Sequence, residues 1–211
     1  MRIALVTDAW LPQMNGVVRT LTTVIAGLRQ RGHEVEVISP DRFWSLPCPT
    51  YPEIRLALAL PGQVGRLLDG FAPNAIHIAT EGPLGWAARG HCRRRGLPFT
   101  TAYHTQFPEY LASRTGLPAQ LFWPLIRRFH APSQAIMVTT ASIRAQLRQH
   151  GLERLHHWSR GVDMATFGPD HAPPDLFFAL PRPISIRIGS RWWRLAMVLI
   201  RAGIVAEKRT V

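Results

Sequence analysis

Short apolar runs alternate with amphipathic stretches along most of this chain, and several of those stretches close on a glycine. That pattern constrains the fold more than any other feature. Residues 3–6 are an uninterrupted apolar run, expected as a strand covered on both faces. A loop rich in turn formers follows. Residues 17–30 then place Val17, Leu21, Val24, Ile25 and Leu28 on one helical face, with Gly32 where a helix stop belongs. Residues 35–38 supply the next strand. A β-α-β unit of this size builds parallel sheet through a right-handed crossover.

The alternation continues along the chain. Further strands are expected near 54–58, 75–79, 99–103 and 136–139, and helices over 63–68, 84–95 and 142–149. Gly96 and Gly151 stop the last two helices, and residues 107–130 hold two more around Gly116-Leu117-Pro118. Residues 40–60 are proline-rich and irregular. The expected class is α/β, a doubly wound parallel Rossmann-like sheet, with no internal repeat and no low-complexity tract.

Composition supports a packed core, at 46% hydrophobic and 18% charged. The formal net charge is +12, and residues 182–211 hold seven basic side chains against one acidic, which is half of that excess. Such a balance favours anionic partners. No zinc-finger spacing, basic zipper or RNA-binding aromatic signature accompanies it, so no nucleic-acid partner is expected. Cys48 and Cys92 are far apart and lack metal-ligand spacing. They read as free thiols in a reducing compartment, and no metal site is expected. The opening apolar run is too short for a signal peptide, and no run is long enough to span a membrane. A cytoplasmic protein is expected.

In open parallel sheets, ligands bind beyond the carboxyl ends of the strands. The segments there are Asp8 to Gly16, Thr80-Glu81-Gly82-Pro83, His104-Thr105-Gln106 and Thr140-Ala141-Ser142. Gly16 immediately precedes a helix. There it either lets a phosphate approach free N–H groups and a positive helix end, or serves a tight turn. His104 directly follows an apolar strand and either donates to a ligand oxygen or is structural. Glu81 and Glu109 follow strand ends as sugar-hydroxyl acceptors or as solvated loop and cap carboxylates. His77 lies inside a strand and reads as packed or hydrogen-bonded. His156 and His157 point to opposite faces of a strand and poorly suit one metal. Neither G-x-G-x-x-G nor G-x-x-x-x-G-K-[ST] occurs, so no dinucleotide or P-loop fingerprint is present and no cofactor is expected.

Five segments, in order, carry a resemblance: TDAWLPQMNGVVRTL, RGHEVEVISP, HIATEGPLG, TAYHTQFPEYL and WSRGVDMATF. Together they resemble the N-terminal domain of a family 4 glycosyltransferase, a retaining enzyme of GT-B fold, over residues 1–168. Within that family the chain resembles bacterial enzymes that glycosylate lipid acceptors. The resemblance implies transfer of a hexose from a nucleotide-diphosphate sugar with retention of configuration. Gly16 would lie beside the donor diphosphate and His104 would contact the transferred sugar. Asn15, Glu81 and Thr105 would join Gly16 in binding donor or acceptor. Gly161-Val162-Asp163 matches the segment leading to the second domain. The leaving-group charge would be stabilised electrostatically.

The resemblance fades after about Ser185. Residues 169–189 read as a linker and the start of a second domain, and 190–211 as a basic, apolar, irregular or helical tail. The donor-binding arginine, lysine and Glu-x7-Glu motif of the family have no counterparts in it. The chain by itself is therefore expected to be inactive, or to act with a separately encoded C-terminal half. The alternative is a non-catalytic remnant binding an acceptor or an anionic membrane surface. A generic nucleotide-binding regulatory domain is a third reading, against which the missing fingerprint counts. Within the tail, residues 192–205 are expected to form one helix, with Arg194 and Arg201 on one face and Trp193, Met197, Ile200 and Ile204 on another. That helix either lies on anionic lipid at the inner face of the membrane or docks on the domain, unless the tail is read-through with no selected role.

Overall fold

The computed structural model describes residues 1–13, 15–48, 51–60 and 62–158, with backbone alone for Cys48 and 51–54. The expectations for 159–211, including Gly161-Val162-Asp163, the linker and the tail helix, lie outside the described residues.

Strand β1 (Arg2–Val6) leads into helix α1 (Gly16–Gln30) and returns as β2 (Glu34–Ile38). A hairpin of β3 (Ser45–Cys48) and β4 (Tyr51–Ala57) follows, then α2 (Gln63–Phe71) and β5 (Ala75–Ile78). Next come α3 (Pro83–Arg95), β6 (Thr100–Tyr103), α4 (Phe107–Thr115), α5 (Trp123–His130), β7 (Ala135–Val138), α6 (Ala141–Gln149) and β8 (Leu155–His157). Six strands form one parallel sheet in the order β2-β1-β5-β6-β7-β8. From β1 the chain steps one way to β2, then crosses back past β1 to β5. The reversal opens a crevice between β1 and β5 at their carboxyl ends, the usual ligand position in such sheets.

Alternation along the strands divides the core. Leu5 packs with Leu21 and Ile25 of α1 and with Val35 on one face. Ala4, Val6, Ile76 and Ile78 point the other way, against Val64 and Leu68 of α2 and Leu84, Ala88 and Cys92 of α3. Burial pushes the Cys92 thiol up to about 11, so it is a packing group and not a nucleophile. Tyr103, Ile136 and Val138 meet Trp123 and Ile126 of α5 and Leu147 of α6. Arg89 is buried at the α3–α5 contact, where its Nε–H donates to Phe129 C=O at 3.0 Å and its Nη2–H to Arg128 C=O. Desolvation, with Arg93 and Arg128 nearby, lowers its pKa.

The main departure from the sequence reading lies between residues 40 and 60. The strand expected over 54–58 runs instead from Tyr51 to Ala57 and pairs antiparallel with Ser45–Cys48, outside the parallel sheet. Pro47 and Pro52 have no N–H to donate, which bars these segments from a central strand and suits a two-stranded ribbon with open edges.

Candidate ligand cleft at the carboxyl edge of the sheet

The loops after β1, β5 and β6 converge on one cavity of about 730 Å³. Asn15, Gly16, Glu81, His104 and Thr105 all line it, so the structure brings the five candidate residues together. Its apolar wall includes Val17, Leu56, Trp86, Phe107, Tyr110 and Leu125.

At the α1 end, Asn15 is the N-cap. Its Oδ1 accepts from Val17 N–H and Val18 N–H at 3.0 Å each, and its Nδ2–H donates to Gln13 Oε1 at 3.2 Å. This narrows the expectation of a helix end with free N–H groups, because two first-turn donors are committed to the cap. Gly16 is the first helical residue, so its backbone is helical and not the special turn weighed above. With no side chain, its amide edge stays open to the cavity.

Asp8, passed over in the sequence as one residue of a loop, organises the opposite wall. Its Oδ1 accepts Leu84 N–H at 2.8 Å, and its Oδ2 accepts Thr80 Oγ1–H at 2.8 Å and Gly85 N–H at 3.2 Å. Asp8 N–H in turn donates to Thr80 Oγ1 at 2.7 Å. The carboxylate thus occupies the N-terminus of α3, so of these two helix ends only that of α1 is open to an incoming anion. Burial raises the Asp8 pKa despite these three donors, and the nearby Glu81 charge adds to the rise. The fit is tight: a Cβ on Gly82 would meet Asp8 Cγ at 2.4 Å, and one on Gly85 would meet Thr80 O at 2.0 Å.

Glu81 is not the solvated loop carboxylate that was one of its two readings. Its side chain is 8% exposed, and Oε1 lies 3.2 Å from Nε2 of the fully buried His130. His130 Nδ1 contacts Thr101 Oγ1 at 2.9 Å, Thr101 donates to Ser133 Oγ, and Ser133 donates to His130 C=O at 2.8 Å. This chain holds the Glu81 carboxylate from behind while the residue faces the cavity. His130 carried no sequence signal, since the contact joins the last residue of α5 to a loop 49 positions earlier.

His104 follows β6 and is half-buried, with the Trp158 ring 5.3 Å from its own between centroids. Thr105 beside it is exposed. His77 is packed and hydrogen-bonded as expected. Its Nδ1 lies 2.8 Å from Thr100 Oγ1, Trp158 meets it edge-on at 5.9 Å, and burial pushes its pKa down to about 4. Glu109 is not among the residues that line the cavity; its Oε1 accepts from Gln146 Nε2 at 2.9 Å, which ties α4 to α6. His156 and His157 are both exposed at β8.

Comparison with known proteins decides the family. Residues 14–166 match the family model described as Glycosyltransferase Family 4. The chain belongs to glycosyltransferase family 4. A GDP-mannose-dependent alpha-mannosyltransferase of Mycobacterium tuberculosis is 32% identical over 80% of this chain and 49% of its own length. The sulfoquinovosyl transferase SQD2 of Arabidopsis thaliana is 27% identical over 89% of this chain and 41% of its own length. An alpha-monoglucosyldiacylglycerol synthase of Acholeplasma laidlawii is 29% identical over 52% of this chain and 31% of its own length. The family 4 chain thus spans about half the length of the relatives it matches, as their N-terminal half. Among the described residues no helix is long and apolar enough to cross a membrane.

Proposed function

We propose that this chain supplies the N-terminal wall of the cleft of a retaining hexosyltransferase that takes a nucleotide-diphosphate sugar and a lipid acceptor. The observation that carries this reading is the convergence of Asn15, Gly16, Glu81, His104 and Thr105 on one cavity that is otherwise mainly apolar. The Gly16 amide edge at the α1 terminus is the place for a diphosphate oxygen. His104, at the carboxyl end of β6, is the group against the transferred sugar. Glu81, oriented by His130, and Thr105 would accept from and donate to hydroxyls. The apolar wall of Trp86, Phe107 and Tyr110 would take the acyl portion of an acceptor. The names of the relatives support this pairing of donor and acceptor: one is GDP-mannose-dependent and another is an alpha-monoglucosyldiacylglycerol synthase.

The leaving diphosphate would be stabilised by positive charge and helix dipole, and those from a C-terminal half would complete the site. That half is either encoded separately or joined to a longer form of this chain. The domain bounds that go with this reading are 1–168 for the N-terminal domain and 169–189 for the connection to the second. A peripheral position at the inner face of a membrane also follows from it.

A titration of the 15N-labelled chain with nucleotide sugars, GDP-mannose among them, tests the site. Saturable shifts at the Gly16 and Thr105 amides are expected, and shifts confined to the amino edge of the sheet around Asn74 and Gln134 would overturn the assignment.

A further inference from the structure

The β3–β4 hairpin turns an apolar face to solvent. Leu46 pairs with Leu56 across the ribbon, and Leu58 N–H donates to Trp44 C=O at 2.7 Å, so Trp44, Leu46, Leu56 and Leu58 share one side. Phe43 and Ala57 alternate to the other side and are buried in the core cluster with α2 and α3. A ribbon with one face on the core ordinarily shows polar side chains on the other. Here Trp44 is 87% exposed, Leu46 57% and Leu58 52%.

A second apolar patch lies at the α4–α5 corner, where Leu117, Leu121 and Leu125 are all exposed. Leu56 from the hairpin and Leu125 from α5 line the same cavity, so both patches run into the candidate cleft. The corner is also cationic. Arg114, Arg127 and Arg128 are exposed there, beside the half-buried Glu109 carboxylate. Leu125 and Arg128 are three apart on α5 and share a side of it.

We infer that these two patches form a membrane-docking surface, seating on an anionic bilayer with the cavity in contact with lipid. Tryptophan and leucine beside arginine suit the boundary between acyl chains and anionic headgroups. The choice of a bilayer over a protein partner rests on the lipid-acceptor reading above. The placement of the contact rests on the hairpin and the α4–α5 corner, and not on residues 190–211.

Flotation of the 211-residue chain with phosphatidylcholine vesicles, with and without phosphatidylglycerol, tests it. Binding is expected with phosphatidylglycerol. The pair Trp44→Ser and Leu58→Ser is expected to weaken it about ten-fold or more. Arg114→Glu with Arg128→Glu is expected to abolish the preference for anionic vesicles. Brominated lipid is expected to quench a component of the fluorescence that Trp44→Phe removes while vesicle binding persists. Thermal unfolding of each variant within a few degrees of the parent excludes misfolding, Arg114 having a ring contact to lose, to Tyr110. His104→Ala is expected to bind vesicles as the parent does, which keeps this outcome separate from failure of the sugar-transfer reading. The proposal is overturned by absence of vesicle binding, by unchanged binding of the hairpin variant, or by no quenching at Trp44. Concentration-dependent self-association lost in the same variants would assign the face to a second copy and also overturn it.

Discussion

Asp8 joins the β1 loop to the first turn of α3, and replacing it should loosen the wall that carries Glu81. Asp8→Ala removes the acceptor for Thr80 Oγ1–H, Leu84 N–H and Gly85 N–H at once. The charge itself stabilises little, because burial holds the Asp8 pKa above its ordinary value even with three donors in place. The cost therefore comes from the abandoned donors. Losing an N-cap costs roughly 1 kcal/mol, and a buried unsatisfied donor about 1–3 kcal/mol. Asp8 lines the cavity, so water can reach part of the gap. Asp8→Ala is then expected to cost about 2 kcal/mol, or roughly 4–8 °C in Tm for a chain of this size. Asp8→Asn keeps one acceptor oxygen but sets an amide donor against a hydroxyl or an N–H, and should cost roughly 1 kcal/mol. Differential scanning fluorimetry and urea unfolding measure both. A Tm for Asp8→Ala within a degree of the parent would refute the cap. A loss for Asp8→Asn as large as that for Asp8→Ala would show that the charge, and not the acceptor oxygens alone, holds the loop.

His77 should make the fold acid-sensitive. Its pKa is about 4 in the folded chain against an ordinary 6.5, so the unfolded chain binds the proton first. The stability it protects is intact above pH 6.5 and is lost as pH falls toward 4, by about 3 kcal/mol in all. The stability difference between the parent and His77→Asn should shrink over that interval in denaturant titrations, and a constant difference would contradict it. Gly85→Ala drives a Cβ to 2.0 Å from a backbone oxygen, which cannot swing aside. It is expected to cost about 3 kcal/mol or more, read by the same melts. The 211-residue chain alone should show no transfer from radiolabelled nucleotide sugars, since it spans half of its relatives and catalysis needs groups fixed on both sides of a cleft. Turnover by purified chain that His104→Ala abolishes would refute that expectation.

The parallel sheet was most legible at its inner strands, which are covered on both faces and write themselves as continuous apolar runs. Residues 3–6 and most of 136–139 could be read that way without knowing any neighbour, whereas Glu36 interrupts the run at 35–38, on the edge strand β2. The position of Gly16 and His104 on one edge followed from parallel topology alone. The β3–β4 hairpin was harder, because a ribbon with apolar residues on both sides loses the alternation that marks a half-buried strand. Asn15 did carry a readable cap signal, an asparagine just before a helical stripe, and its side chain rather than a ligand takes Val17 N–H and Val18 N–H. The contacts of Asp8 with Leu84 and of Glu81 with His130 span 76 and 49 positions, and no local pattern encodes them. They exist only once β1, β5 and α5 are assembled.

A chimera would show whether His104 faces the transferred sugar. Residues 1–158 of this chain would replace the matching N-terminal segment of the Mycobacterium tuberculosis GDP-mannose-dependent alpha-mannosyltransferase, and transfer of labelled mannose from GDP-mannose would be measured. Transfer by the chimera is expected, with a fall of about 100-fold or more in kcat for His104→Ala at unchanged Tm. A chimera that transfers mannose equally well with alanine at position 104 would contradict that expectation, because His104 would then not face the sugar.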